Sequence, residues 1–130
     1  MIYMLTKLKP DLPAVYAKLK SILQKYERGD LTASPDQPGH YALIGPPTER
    51  SLGKDVWFGA VRTGKSYVSY HLMAVYVFSE LLDGMSPQLK KRMQGKSCFN
   101  FKQVDDKLFR ELAKLTDQGY KRFKKEKLIR

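Results

Sequence analysis

The sequence predicts an α+β fold of two layers, an antiparallel sheet of about four to five strands covered by helices from the N- and C-terminal ends of the chain. Two observations carry this. Helix-period apolar patterns bracket the chain, while its centre holds short runs of β-branched and aromatic residues separated by turn chemistry. At 130 residues the chain is expected to form a single domain over 1–130, with 42% hydrophobic and 12% aromatic content to fill one core.

The spacing predicts a helix over 12–28, where Val15, Leu19, Ile22, Leu23 and Tyr26 recur on one face, Asp11 caps the start and Gly29 ends it. Residues 29–39, with Gly29, Asp30, Ser34, Pro35, Pro38 and Gly39, read as loop. His40 to Ile44 is a strand candidate. Val56–Val61 is apolar on both faces, which suggests a central strand. Thr63-Gly64-Lys65 turns the chain and Tyr67–Leu72 returns, making 55–72 a hairpin. Residues 74–83 read equally as strand or helical turn. Ser86-Pro87 starts a short helix expected to run through Leu89 and Met93 to Gly95. Cys98–Phe101 is a strand with two phenylalanines on one face. The closing helix places Leu108, Phe109, Leu112, Leu115, Gly119, Tyr120 and Phe123 on one face at about 100° per residue. Asp105 or Asp106 caps it, and Gly119 implies a close backbone approach.

Charge is uneven. The net +11 divides into ten Lys and Arg against eight Asp and Glu over 1–89, and fourteen against five over 90–130. A basic field so concentrated favours anionic partners: an acidic protein, nucleic acid or a phosphorylated ligand. Lys90, Lys91, Arg92 and Lys96 precede the last helix, and Lys107, Arg110, Lys114, Lys121 and Lys125 lie opposite its apolar face. Together they form the candidate anion-binding surface. No apolar run approaches the roughly 18 residues that cross a bilayer, so no membrane association is expected. Met1–Thr6 lacks the basic and apolar regions of a secretory signal, and Cys98 is the only cysteine, so a cytoplasmic location is expected.

Few residues suggest chemistry. Gly59 to Ser66 satisfies G-x-x-x-x-G-K-S, but a phosphate-binding loop must open a helix, and here strand-like sequence flanks both sides. The run is read as a hairpin turn. His40, His71 and Cys98 offer no zinc spacing, and no metal site or cofactor is expected. Cys98, among apolar strand residues, reads as buried and inert, and His71 as half-buried. Tyr41, Trp57, Tyr67, Tyr70 and Tyr76 read first as packing residues, with the alternative that a subset lines a pocket with Arg62 and His71 for a small anionic ligand. Tyr67, Ser69 and His71 share the more polar face of their strand, where with Arg62 they define a candidate ligand site. No catalytic residue is identified, and the balance favours a binding module over an enzyme.

The run from Val56-Trp57-Phe58-Gly59 through Tyr67–Met73 to Met93-Gln94-Gly95-Lys96-Ser97-Cys98-Phe99-Asn100-Phe101, with the closing amphipathic helix, resembles the YdhG-like domain family over roughly residues 12–126. The resemblance implies an antiparallel sheet covered by helices from both chain ends and no agreed activity. For some members it implies a frataxin-like intracellular iron chaperone. Iron carriage calls for an acidic ridge, whereas the first helical stretch carries Lys18, Lys20, Lys25 and Arg28 against Glu27. The functional expectation is therefore a small binding module recognising an anionic partner through its basic C-terminal surface. A small-molecule pocket or weak enzyme around Arg62, Tyr67 and His71 is the first alternative, and an iron-carrying chaperone the second.

Overall fold

Asp11 opens the first helix. In the computed structural model, which describes residues 11–130, its carboxylate accepts from the Ala14 amide at 3.2 Å. This helix, α1, runs Leu12–Gln24 and fully buries Val15, Leu19 and Leu23. It stops at Gln24 rather than 28, and Gly29 takes a left-handed φ of 59° in the turn beyond. The sequence reading of Met1–Thr6 falls outside the described residues.

The sheet has six strands: β1 (Thr32–Gln37), β2 (His40–Gly45), β3 (Val56–Thr63), β4 (Val68–Leu72), β5 (Met93–Gln94) and β6 (Cys98–Phe101). Their order is β1-β2-β3-β4-β6-β5, and every neighbouring pair is antiparallel. The fold class is as predicted, with two strands more than the sequence makes plain. β1 corrects the loop reading of 29–39. Ser34, Pro35 and Asp36 are poor strand formers, but β1 is an edge strand whose register slips by one residue between Ala33 and Asp36, where a proline costs no ladder bond. β5 corrects the helix expected to reach Gly95. That helix ends at Lys90, and the Asn100 amide donates to the Arg92 carbonyl at 2.8 Å, drawing the chain onto the sheet edge.

The hairpin forms as read, with Thr63 opposite Val68 and the Gly64 amide donating to the Tyr67 carbonyl at 2.8 Å. Lys65 and Ser66 lie in a turn between two strands, so the glycine-lysine-serine run opens no helix. The ambiguous 74–83 stretch is helical: α2 covers Met73–Val77 and a single 3₁₀ turn covers Ser79–Leu82. α3 (Pro87–Lys90) is capped by Ser86, and α4 (Asp106–Lys125) by Asp105. None of the helices among the described residues is long and apolar enough to cross a membrane.

All of the predicted apolar face of α4 is buried, and Thr116 with it. The Thr116 hydroxyl donates its one proton to the Leu112 carbonyl at 2.8 Å, so the Tyr70 hydroxyl, 2.7 Å away, donates to Thr116. This closed chain satisfies the two polar groups that the helix–sheet interface traps. At the far end Phe58 meets Tyr26, Tyr120 and Phe123 with ring centroids 5.6–5.8 Å apart. Each such ring contributes roughly 1.5–3 kcal/mol by burial.

Gly119 lets α2 seat on α4. A β-carbon there would lie 2.7 Å from the Ala74 β-carbon, closer than real carbons approach. Overpacking costs about 1–3 kcal/mol, against the roughly 1 kcal/mol that alanine gains over glycine in a helix. Gly119→Ala is therefore expected to lower stability in urea unfolding, with Ala74→Gly in the same chain recovering part of the deficit. A Gly119→Ala variant as stable as the parent would show that α2 does not seat there.

Candidate functional site

The helices lie on one face of the sheet; no described helix lies over the other, which is built from the register. Leu43 pairs with Gly59 but Ile44 pairs with Trp57, so Phe58 is an extra residue in β3. Such a β-bulge turns two successive side chains to the same side. Phe58 joins the core and Trp57 turns outward, 45% exposed. Beyond the bulge Ala60 and Arg62 face outward. Across the ladder, His40, Arg62, Ser69 and Asn100 form one outward row, and Ala42, Ala60, His71 and Cys98 the next. Tyr67 precedes β4 in the same phase, and Lys102 follows β6.

Two recesses mark this face. One of about 300 Å³ is lined by His40, Trp57, Gly59, Ala60, Arg62, His71 and Met73. Its floor is small residues, and its walls are an indole, two imidazoles and a guanidinium. The other, of about 360 Å³, is lined by Tyr67, Lys91, Arg92, Met93, Gln94, Asn100 and Lys102. Between them the Ser69 hydroxyl donates to Asn100 Oδ1 at 2.8 Å, and Asn100 Nδ2 donates to Gln94 Oε1 at 2.6 Å.

Arg62, Tyr67, Ser69 and His71 thus share a face as expected, but Tyr67 lines a different recess from Arg62 and His71. The structure instead brings Tyr67 to Lys91 and Arg92, which belong to the other predicted set. Lys90 and Lys96 are exposed but line neither recess. Lys107, Arg110, Lys114, Lys121 and Lys125 are exposed along the outer side of α4, a helix about 30 Å long. Carboxylates interrupt that side: Lys121 Nζ lies 2.9 Å from Asp117 Oδ2, and Lys114 borders a cleft with Glu80 and Glu111. No carboxylate occupies the outward rows of β2, β3, β4 and β6. Arg62, Lys91, Arg92 and Lys102 have no ion-pair partner among the described residues, although the last three also line a cleft with Asp105.

Three members of this face escape sequence reading: Cys98, Asn100 and Lys102. Trp57, favoured there as a packing residue, takes the alternative place beside Arg62 and His71. Gly59 is the only sequence signal for the bulge that exposes Trp57. Cys98 is not the fully buried thiol expected. It is half-buried, and its Sγ lies 2.8 Å from His71 Nε2 and 3.3 Å from Nδ1. His71, expected to be half-buried, is exposed by surface area. Desolvation at the sheet surface nevertheless lowers the His71 pKa from 6.5 and raises that of Cys98 from 9.0, so both are neutral near pH 7. A neutral thiol beside a neutral imidazole is a hydrogen-bonded pair rather than an activated nucleophile. Among the described residues no three of His, Cys, Asp and Glu gather in a metal-binding group.

Comparison with protein-family models, with curated proteins and with solved structures returns no match.

Folded His71 takes up a proton less readily than the unfolded chain does. Its contribution to stability is therefore complete above about pH 6.5 and declines as pH falls through the window between that value and the lower folded midpoint. An NMR titration of the His71 ring is expected to give a midpoint below 6.5, with Cys98 reacting slowly with iodoacetamide at pH 7. A midpoint above 6.5, with a fast thiol, would mean that the pair is ionised.

Proposed function

We propose that this chain is a binding module for an anionic partner and that its recognition surface is the exposed sheet face, continued onto Lys91, Arg92 and Lys102. The observation that carries this reading is the segregation of charge. Four cations without ion-pair partners border outward strand rows that hold no carboxylate; Lys107, Arg110, Lys114 and Lys125 of α4 are unpaired as well, but Glu111, Asp117 and Glu126 stand among them. Cations with no local partner lose least when they meet an external anion, and a predominantly basic surface draws that anion in. The basic C-terminal surface predicted from sequence contributes its Lys91 and Arg92 end to this site, and the outer side of α4 contributes less.

The resemblance to the YdhG-like family belongs to the same proposal, since an antiparallel sheet covered by helices from both ends is what it implies. A second reading has its own support in the recess beside Trp57, whose volume of about 300 Å³ is at the lower bound for small-molecule sites. It would take a compact planar anion, held by Arg62 between His40 and His71. Iron carriage has the least support, because Lys18 and Lys20 line α1 where carboxylates would be needed.

Charge reversal separates the surfaces. Heparin binding across a salt series is expected to weaken strongly in Arg62→Glu with Lys102→Glu. The slope of log affinity against log salt should fall by about one unit for each cation that no longer meets the polyanion. Lys114→Glu with Lys125→Glu is expected to have the smaller effect. The reverse ranking would move the site to α4, and no binding at low salt would leave the charge a role in solubility alone.

A further inference from the structure

The exposed face combines the chemistry of phosphate contact with that of base stacking, and we propose that its occupant is a single-stranded nucleic acid. This rests on reading the face as an anion-recognition surface and names the anion. Charge complementarity selects a polyanion: Arg62, Arg92, Lys91 and Lys102 lie along the face, none with an ion-pair partner among the described residues. An acidic peptide would use those cations and leave the aromatic groups unexplained. Trp57 is 45% exposed beside a recess floored by Gly59 and Ala60, a gap with room for a flat ring against the indole. Tyr67 borders the second recess among Lys91, Arg92, Asn100 and Lys102. Aromatic side chains on which successive bases stack, with cations along the backbone path, are how proteins hold single strands.

The register sets the length. Trp57 lies opposite Ile44, and Tyr67 lies one residue beyond the Thr63–Val68 pair at the other end of β3. At about 3.3 Å per residue that is roughly 20 Å, a span suited to about four nucleotides, the lower end of known single-strand site sizes. Arg62 walls the recess beside Trp57 one residue before β3 ends toward Tyr67, where a linking phosphate would pass. A duplex keeps its bases stacked inside and cannot offer them to either recess. The hydroxyl and amides in the middle are committed to one another, Ser69 to Asn100 and Asn100 to Gln94. With this network holding the middle of the face, RNA and DNA strands are expected to bind alike.

Trp57 is the only tryptophan of the chain, so its fluorescence reports directly on stacking. The full chain would be titrated at low salt with short uridine and thymidine strands, a mixed-sequence duplex and poly-glutamate. The single strands are expected to quench Trp57 and to bind within about threefold of each other, with the duplex at least tenfold weaker. Poly-glutamate is expected to bind without quenching. Trp57→Ala should weaken single-strand binding at least fivefold and leave poly-glutamate binding unchanged, and Trp57→Phe should restore most of the affinity. Circular dichroism would confirm that both variants fold. Single-strand binding without quenching and insensitive to Trp57→Ala, or duplex binding as tight as single-strand binding, would overturn the proposal while leaving the anionic reading intact. Failure of every polyanion to bind at low salt would overturn both.

Discussion

One extra residue in β3 decides which side chains this protein buries and which it shows. With strict alternation from the hairpin turn, Arg62, Ala60 and Phe58 would share the exposed face, and Trp57 would point under the helices with Val61. The bulge at Phe58 reverses that order below Gly59. Phe58 turns in to meet Tyr26, Tyr120 and Phe123, and Trp57 turns out to wall a recess with Arg62 and His71. Gly59 makes this feasible, because a β-carbon there would lie 2.9 Å from both the His71 carbonyl oxygen and Leu23 Cδ1. The same residue thus admits α1 to the sheet and sets the floor of the recess opposite.

Everything on the helix side follows from packing onto that surface. The α4 stripe lies on the sheet, its one buried hydroxyl is satisfied through Tyr70, and α2 closes over the gap at Gly119. With both long helices on one side, the polar residues that alternate outward collect on the other. Ion pairs such as Lys20–Asp36 and Arg122–Glu80 involve none of the cations bordering the exposed face. The predominantly basic character of that face is a consequence of topology as much as of composition.

Where periodicity is long and unbroken, the sequence is readable residue by residue, and α4 emerges with its cap and its whole buried face as expected. The hairpin and the Cys98–Phe101 strand are legible for the same reason. Short elements are not, because tertiary contacts outweigh their local preference. Pro35 hides an edge strand, and Val75, Tyr76 and Val77 enter a helix because Ala74 fits against Gly119. In the site, alternation along β4 correctly groups Tyr67, Ser69 and His71. Lys102 and Asn100 become visible only once β6 is known to pair with β4. Apart from Gly59, nothing in the pattern of β3 announces a bulge, so Trp57 reads first as a packing residue. Cys98 reads as core too, because the imidazole that meets it comes from a neighbouring strand.

The placement of Trp57 outside the core is the claim on which both the fold's register and the site depend. With a single indole in the chain, steady-state emission and iodide quenching measure it without mutation or ligand. An emission maximum near that of a water-exposed indole, with efficient quenching by iodide, is the expected result. A blue-shifted emission shielded from iodide would contradict it, placing Trp57 under the helices and the bulge elsewhere.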